Sequence, residues 1–145
     1  MEEKKIYRIN ISMPNLINLC VDNFENEEIS GRIYHRYQKE PVVFSNIIEL
    51  LNITENLFDK ISYPQASART RKFVEPFSKK REAPPEKIVD AKELLAYRGE
   101  RSTFALCVKF RQNVSWQGEI VNRKNDSCRY FSSTLEFIKI LIEGA

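Results

Sequence analysis

The chain of 145 residues is poor in the residue types on which most enzyme sites depend. It has four glycines, and none belongs to a glycine-rich loop of the kind that cradles a phosphate group. Its single histidine, His35, cannot build a histidine-based metal site by itself. The sequence therefore predicts no cofactor, no metal ion and no catalytic residue.

Long apolar runs and paired cysteines are also missing. No stretch reaches the roughly 18 apolar residues that a membrane-spanning helix needs, and no signal-peptide pattern follows Met1. The three cysteines, Cys20, Cys107 and Cys128, include no CxxC spacing. With 42% hydrophobic and 30% charged residues, the composition is that of one ordinary folded domain. We expect a cytoplasmic protein with reduced thiols and no membrane contact.

An internal repeat is the strongest positive signal in the sequence. A shift of 87 positions, without any gap, gives eleven identities between Leu19–Glu55 and Leu106–Ile142. Chance composition would give roughly two. We interpret the chain as two related units, and we expect Cys20 and Cys107 to be small, buried and unbridged residues on corresponding strands.

The sequence pattern predicts two strands followed by a helix in each unit. In the second unit Phe104, Leu106, Val108 and Phe110 recur at every second position, which predicts a strand with one buried face. The helices are expected to begin at Ser45 and at Ser132 or Ser133, because hydroxyl residues cap free amide groups. The predicted fold class is α+β, in which tandem duplicated units form a four-stranded antiparallel sheet with two long helices on one face.

The domain organisation follows from this repeat. Residues 1–61 form the first unit with an additional N-terminal strand over Ile6–Met13, and residues 62–87 form a connector. Residues 88–145 contain a short helix over Asp90–Tyr97, which Asp90 caps, and then the second unit. The whole is expected to be one compact domain.

The connector holds most of the positive charge. Residues 62–87 contain four of the six prolines and carry a net charge of +4, whereas the whole chain carries +3. One interpretation is a solvated, mobile linker. The other is a surface for nucleic acid or an acidic partner, since Phe73 and Phe77 lie among the basic residues. Its candidate contacts are Arg69, Arg71, Lys72, Lys79, Lys80 and Arg81.

A second candidate surface lies on the repeat units. The only tryptophan, Trp116, precedes Gln117 in a segment that we assign to a hairpin turn. Its indole is expected either to fold back onto the core or to anchor a partner. Tyr34, Arg36 and Tyr37 in the first unit add aromatic and guanidinium groups, which are typical of interfaces and of nucleic-acid contacts. Trp116, Gln117, Tyr34, Arg36 and Tyr37 are therefore the candidate partner-binding residues.

Two further sets of residues could in principle take part in catalysis. Cys107 or Cys128 could act as a nucleophile with His35, although no local signature of a cysteine hydrolase is present. Glu49 and Glu136 occupy equivalent positions and could meet for acid–base work, but such residues more often lie in the first turn of a helix. We expect that the protein is not an enzyme.

Four stretches resemble a known family: Ile29–Tyr34, Tyr63–Ser67, Phe110–Gly118 with its Trp-Gln-Gly motif, and Leu135–Lys139. They are similar to a family of small uncharacterised proteins of anaerobic Gram-positive bacteria and their mobile elements. The resemblance transfers no functional residues. It implies a context in which small proteins block host machinery, including CRISPR nucleases.

Two functions follow as expectations. The first is a non-enzymatic, anti-CRISPR-like inhibitor that binds a host protein or ribonucleoprotein, such as an RNA-guided nuclease. The alternative is a small nucleic-acid-binding accessory or regulatory protein that uses the basic connector. The slightly basic chain, with a pI near 8.7, does not favour duplex mimicry. The sequence leaves the oligomeric state open.

Overall fold

A six-stranded antiparallel sheet forms the centre of the molecule. The computed structural model describes residues 12–64, 86–112 and 115–145. The first half contains β1 (Ile17–Glu25), β2 (Glu28–His35), β3 (Gln38–Phe44) and α1 (Ile47–Ile61). The second contains α2 (Ala91–Leu94), β4 (Ser102–Gln112), β5 (Ser115–Asn122), β6 (Ser127–Phe131) and α3 (Thr134–Gly144). The strand order is β3-β2-β1-β4-β5-β6, so β1 and β4 join the halves at the centre.

The prediction of an α+β fold is confirmed, but the prediction of four strands is wrong. Each half contributes three strands before its long helix, because β3 and β6 extend the sheet at its two edges. In the sequence β3 resembles a loop, because it contains Lys39, Glu40 and Pro41. Charged residues and proline are tolerated there because one side of an edge strand faces solvent.

Side chains on the two faces of the sheet belong to two different clusters of buried residues. On one face, Leu19 of β1 and Leu106 of β4 share a cluster with residues of both long helices, including Phe58 of α1 and Phe137 of α3. On the other face, Cys20, Ala105 and Cys107 pack with residues of the segment around α2. Both faces of the central strands are therefore buried, as their side-chain alternation requires.

Two equivalent irregularities interrupt the strand pairing. The register shifts between Val21 and Asn23 in β1, and between Val108 and Phe110 in β4. A glycine lies opposite each shift: Gly31 pairs with Val21, and Gly118 pairs with Val108. Only glycine fits there, because a Cβ at Gly31 or Gly118 would lie 1.9 Å or 2.1 Å from a carbonyl oxygen of the neighbouring strand.

The helix caps explain the equivalent carboxylates. Asn46, rather than the predicted Ser45, caps α1, while Ser133 caps α3 as predicted. Glu49 and Glu136 lie in the first turns and accept hydrogen bonds from the backbone N–H groups of Ser45 and Ser132. These bonds hold the pKa of Glu136 below its usual value. Both carboxylates are thus cap residues. The short helix capped by Asp90 is present, but it ends at Leu94 and does not reach Tyr97 as predicted.

Several predictions fall outside the described ranges. The N-terminal strand predicted over Ile6–Met13 lies outside them up to Ile11, and Ser12 and Met13 are not in a strand. Residues 65–85 of the connector also lie outside. Within the described part of the chain, no helix is long and apolar enough to cross a membrane.

The strand pairing makes a direct prediction about glycine. Gly118→Ala and Gly31→Ala should each lower the free energy of unfolding by about 2 kcal/mol or more, because the added methyl group meets backbone that cannot move alone. Gly144→Ala is the control, since its Cβ would meet only side-chain atoms, at 3.0 Å. Urea unfolding measures all three. Equal losses in the three variants would contradict the role assigned to the two strand glycines.

Candidate functional site

Trp116 lies in the core between the two long helices. It belongs to β5 rather than to a turn, and its side chain is 1% exposed. Its ring centroid lies 5.8 Å from that of Phe58 on α1 and 5.3 Å from that of Phe137 on α3. The tilted arrangement of these rings is favourable for aromatic pairs. Trp116 therefore connects both helices to the sheet.

An ion network centred on the buried Arg111 lies beside this tryptophan, with Glu55 partly exposed and Asp59 exposed. Arg111 pairs with Trp116 across β4 and β5, and its guanidinium contacts Glu55 at 2.7 Å and Asp59 at 3.0 Å. The Arg111 Nε group donates to the backbone oxygen of Pro64, and the Trp116 Nε1 group donates to Glu55. Because the Arg111 side chain is only 3% exposed, its carboxylate partners are needed to compensate the cost of burial.

The structure therefore places Trp116, a predicted partner-binding residue, in the core. A side chain that is 1% exposed offers no area to a partner, and its polar atom already has a carboxylate acceptor. The alternative expectation, in which the indole packs onto the core, describes its position correctly. Tyr34 is also buried, because it is only 6% exposed.

Tyr34 is covered by another part of the chain. The ring of Tyr97 stacks on it with centroids 3.9 Å apart and planes 3° apart. Arg32 donates to the Tyr34 hydroxyl at 2.7 Å and forms a bidentate pair with Asp22 at 2.8 and 3.0 Å. Hydrogen bonds from Arg32 are the main reason that the pKa of Asp22 lies below its usual value. The stacking of Tyr97 on Tyr34 holds the segment around α2 against the sheet.

Arg36 and Tyr37 are partly exposed and also hold neighbouring segments. The backbone oxygen of Arg36 accepts from the N–H groups of Ile88 and Val89, and the Tyr37 hydroxyl donates to Pro14. The structure thus brings Tyr34, Arg36 and Tyr37 to one end of β2, where all three make contacts within the chain.

The basic candidate residues of the connector cannot be placed. Arg69, Arg71, Lys72, Lys79, Lys80 and Arg81 all lie outside the described residues. Within the described ranges, acidic side chains outnumber basic ones by two. The part of the fold that the structure describes therefore has no general excess of positive charge.

Two buried thiols and the histidine are held in unreactive states, whereas Cys128, the other nucleophile candidate, is half-buried in β6. Cys20 and Cys107 are fully buried and unbridged, as predicted, and burial raises the pKa of each thiol to about 11. A thiol of that pKa is protonated at neutral pH. Burial, together with Lys60, lowers the pKa of His35 to about 4, and its Nδ1 atom accepts from Tyr37 N–H. Among the described residues, no cluster of three potential ligands could hold a metal ion.

Two exposed aromatic side chains lie on β4 and β6, the strands that flank β5. Phe110 is 59% exposed and pairs with Gln117, while Tyr130 is 57% exposed and pairs with Glu119. Lys109 contacts Glu119 at 3.5 Å. We call this surface, made of Lys109, Phe110, Gln117, Glu119 and Tyr130, the aromatic patch.

The exposure of Phe110 differs from the prediction made from the alternation of apolar residues. The pattern placed its side chain on the buried face with Phe104, Leu106 and Val108, but the register shift after Val108 turns it to the opposite face. The only trace of this shift in the sequence is Gly118, which matches Gly31 in the repeat. Of the predicted binding residues, Gln117 alone belongs to the aromatic patch.

An open groove in the second half is lined by residues of β4, β5, β6 and α3. Its volume is about 210 Å³, and its lining includes Phe104, Asn122, Arg129 and Glu143. Arg129 and Glu143 are exposed and form a 3.2 Å ion pair there. The groove contains no reactive group, and we assign it no role.

The buried histidine should make stability depend on pH. Because its pKa falls from 6.5 in the unfolded chain to about 4 in the fold, the unfolded state binds the proton first as the pH drops. Stability is then full above about pH 6.5 and is lost progressively down to about pH 4, by about 3 kcal/mol. His35→Asn should remove most of this slope. A wild-type slope that persists in the variant would contradict the assignment.

The position of Trp116 is testable by fluorescence, because it is the only tryptophan. We expect its native emission to be shielded from acrylamide and to shift to longer wavelength on unfolding. Trp116→Phe should cost about 1–2 kcal/mol, since it removes the donor to Glu55 and part of the ring. Equal quenching of the native and unfolded chains would contradict the buried position.

Comparisons with known proteins were made at three levels. No family model, no curated protein and no solved structure matches the chain. Function is therefore argued from the geometry described above.

Proposed function

We propose that this protein is a non-enzymatic binding protein that holds a partner protein on the aromatic patch. The observation that carries the proposal is the exposure of Phe110 and Tyr130, at 59% and 57%, on the strands that flank β5, together with the Lys109–Glu119 ion pair. Large aromatic side chains supply much of the contact energy at protein interfaces. A nearby ion pair adds orientation and specificity.

The state of the reactive side chains supports binding rather than catalysis. The buried thiols of Cys20 and Cys107 and the imidazole of His35 are uncharged at neutral pH, and the latter is fixed by a backbone hydrogen bond. Arg111 is held by carboxylates that stabilise the fold. The aromatic patch, by contrast, combines exposed apolar area with charge.

The proposal includes an origin by tandem duplication, with both long helices on one face of the sheet. It is supported by the eleven identities at a shift of 87 positions. The same shift relates the two register irregularities, their opposing glycines and the first-turn glutamates. Such agreement is typical of two copies of one unit.

The class of partner follows partly from context. The resemblance described above is the basis for proposing a host protein, such as an RNA-guided nuclease, which this protein would inhibit. The alternative, a small nucleic-acid-binding regulator, depends on basic residues that lie outside the described ranges. We favour a protein partner because the aromatic patch belongs to the folded sheet.

Site-specific photo-crosslinking tests the proposal. A photoreactive phenylalanine analogue at position 110 or 130 of the full chain, in cells that contain the protein, should cross-link to a discrete protein that survives nuclease treatment. When that protein is purified, Phe110→Ala or Tyr130→Ala should weaken its binding by about tenfold or more. Direct binding should be measured at two salt concentrations.

The chain supplies matched controls for this experiment. Asn23 and Val43 occupy the positions equivalent to Phe110 and Tyr130 and are also exposed, so the same analogue there should give no cross-link. The proposal fails if the patch variants bind the purified partner as well as wild type. Loss of every cross-link with nuclease, with binding that falls roughly 30-fold from about 50 to 200 mM salt, would favour the nucleic-acid function.

A further inference from the structure

Positive charge is concentrated on the segment that follows α2. The guanidinium of Arg32 donates to the backbone oxygen of Arg98 at 2.9 Å, and that of Arg123 donates to the backbone oxygen of Leu95 at 3.0 Å. Two guanidinium groups of the sheet therefore contact residues 95–98, and Arg98 itself contributes a third. We call Arg32, Arg98 and Arg123 the arginine cluster.

A single carboxylate contacts this cluster. Both oxygens of Asp22 accept from Arg32, at 2.8 and 3.0 Å, and one of them also accepts from the backbone N–H of Glu100. Among the described residues, neither Arg98 nor Arg123 forms an ion pair with a carboxylate. Within that part of the chain, two of the three positive charges thus have no counter-charge in contact.

The electrostatics of Arg123 reflect this arrangement. Arg123 is half-buried, and burial together with the nearby Arg98 lowers the pKa of its guanidinium, which Asp126 offsets only in part. Burial raises the pKa of the Cys20 thiol to about 11, and all three arginines act against that rise. The three charges therefore lie around one place. Like charges held together cost free energy, which a bound anion would recover.

The equivalent place in the second half is balanced in charge. Lys109 and Glu119 form a pair of one base and one acid, and both act on the thiol of Cys107. The shift of 87 positions places Glu119 on Arg32. The excess of positive charge thus belongs to the arginine cluster and is not a general property of this sheet face.

Both guanidinium groups without a carboxylate can be reached from solvent. Arg98 is exposed, and its side chain makes no hydrogen bond within the described ranges. Arg123 donates to Leu95, and none of its nitrogen atoms is enclosed without a partner. A planar guanidinium presents paired N–H groups that match two oxygens of a phosphate group.

We infer that Arg98 and Arg123 bind a phosphate group between their guanidinium groups, while Arg32 holds the Arg98 backbone in place. The inference does not involve the aromatic patch and is independent of the proposed function. The same chemistry recognises free phosphate, the phosphate of a nucleotide and the backbone of a nucleic acid, so the experiment separates these sources.

Thermal unfolding of the full chain is the first measurement. With a Kd of about 1 mM, about 10 mM phosphate should raise Tm by about 3 °C relative to chloride at equal ionic strength. Adenosine monophosphate and a single-stranded oligonucleotide are measured in the same way. Equal shifts with phosphate and the nucleotide assign the site to the phosphate group alone, and a shift only with the oligonucleotide assigns it to a nucleic-acid backbone.

Substitutions then locate the site. Arg98→Ala should abolish the ligand-dependent rise in Tm. Arg98→Glu places a carboxylate beside Arg123, so it should raise Tm without ligand by about 1–3 °C and remove the response to phosphate. Arg129→Ala is the matched control, because it removes an exposed arginine that already pairs with Glu143.

Three outcomes overturn the inference. Wild-type protein that responds to none of the three ligands would remove the site. A response that persists in Arg98→Ala, or that is lost equally in Arg129→Ala, would show a general effect of charge. A lower Tm for Arg98→Glu than for wild type would show that Arg98 and Arg123 do not repel each other in the free protein.

Discussion

The contact of Trp116 with both long helices is the interaction on which the rest of the fold depends. Its ring lies between Phe58 and Phe137, so a single side chain of β5 joins elements that are far apart in the sequence. Its Nε1 group and Arg111 both bind Glu55. A buried arginine is stable only with its acidic partners in place, so this network fixes α1 relative to β4 and β5.

The register shifts in β1 and β4 decide which side chains reach the surface. After the shift, Arg111 points into the core, and its neighbour Phe110 points to solvent on the opposite face. Gly118 permits this arrangement because no Cβ is present to meet the carbonyl oxygen of Cys107. The same local irregularity thus places both the buried arginine of the ion network and one aromatic residue of the patch.

The ion pairs at equivalent positions of the two halves have opposite orientation, with Asp22 and Arg32 in the first half and Lys109 and Glu119 in the second. Around Asp22 and Arg32, the chain provides its own covering segment, which Tyr97 and two backbone groups hold in place. Around Lys109 and Glu119, aromatic side chains remain exposed, and one carboxylate oxygen has no donor.

The sequence by itself determined the fold class, the shift of 87 positions between related segments, the buried state of Cys20 and Cys107 and the cap at Asp90. Alternation, helical spacing and capping are local patterns, so they can be read from neighbouring residues. Tertiary structure alone decided that Trp116 is buried and Phe110 exposed, because both depend on a register shift and on helices far away in the chain. It also decided that Lys109 and Glu119 form an ion pair, since only the folded sheet brings β4 and β5 together.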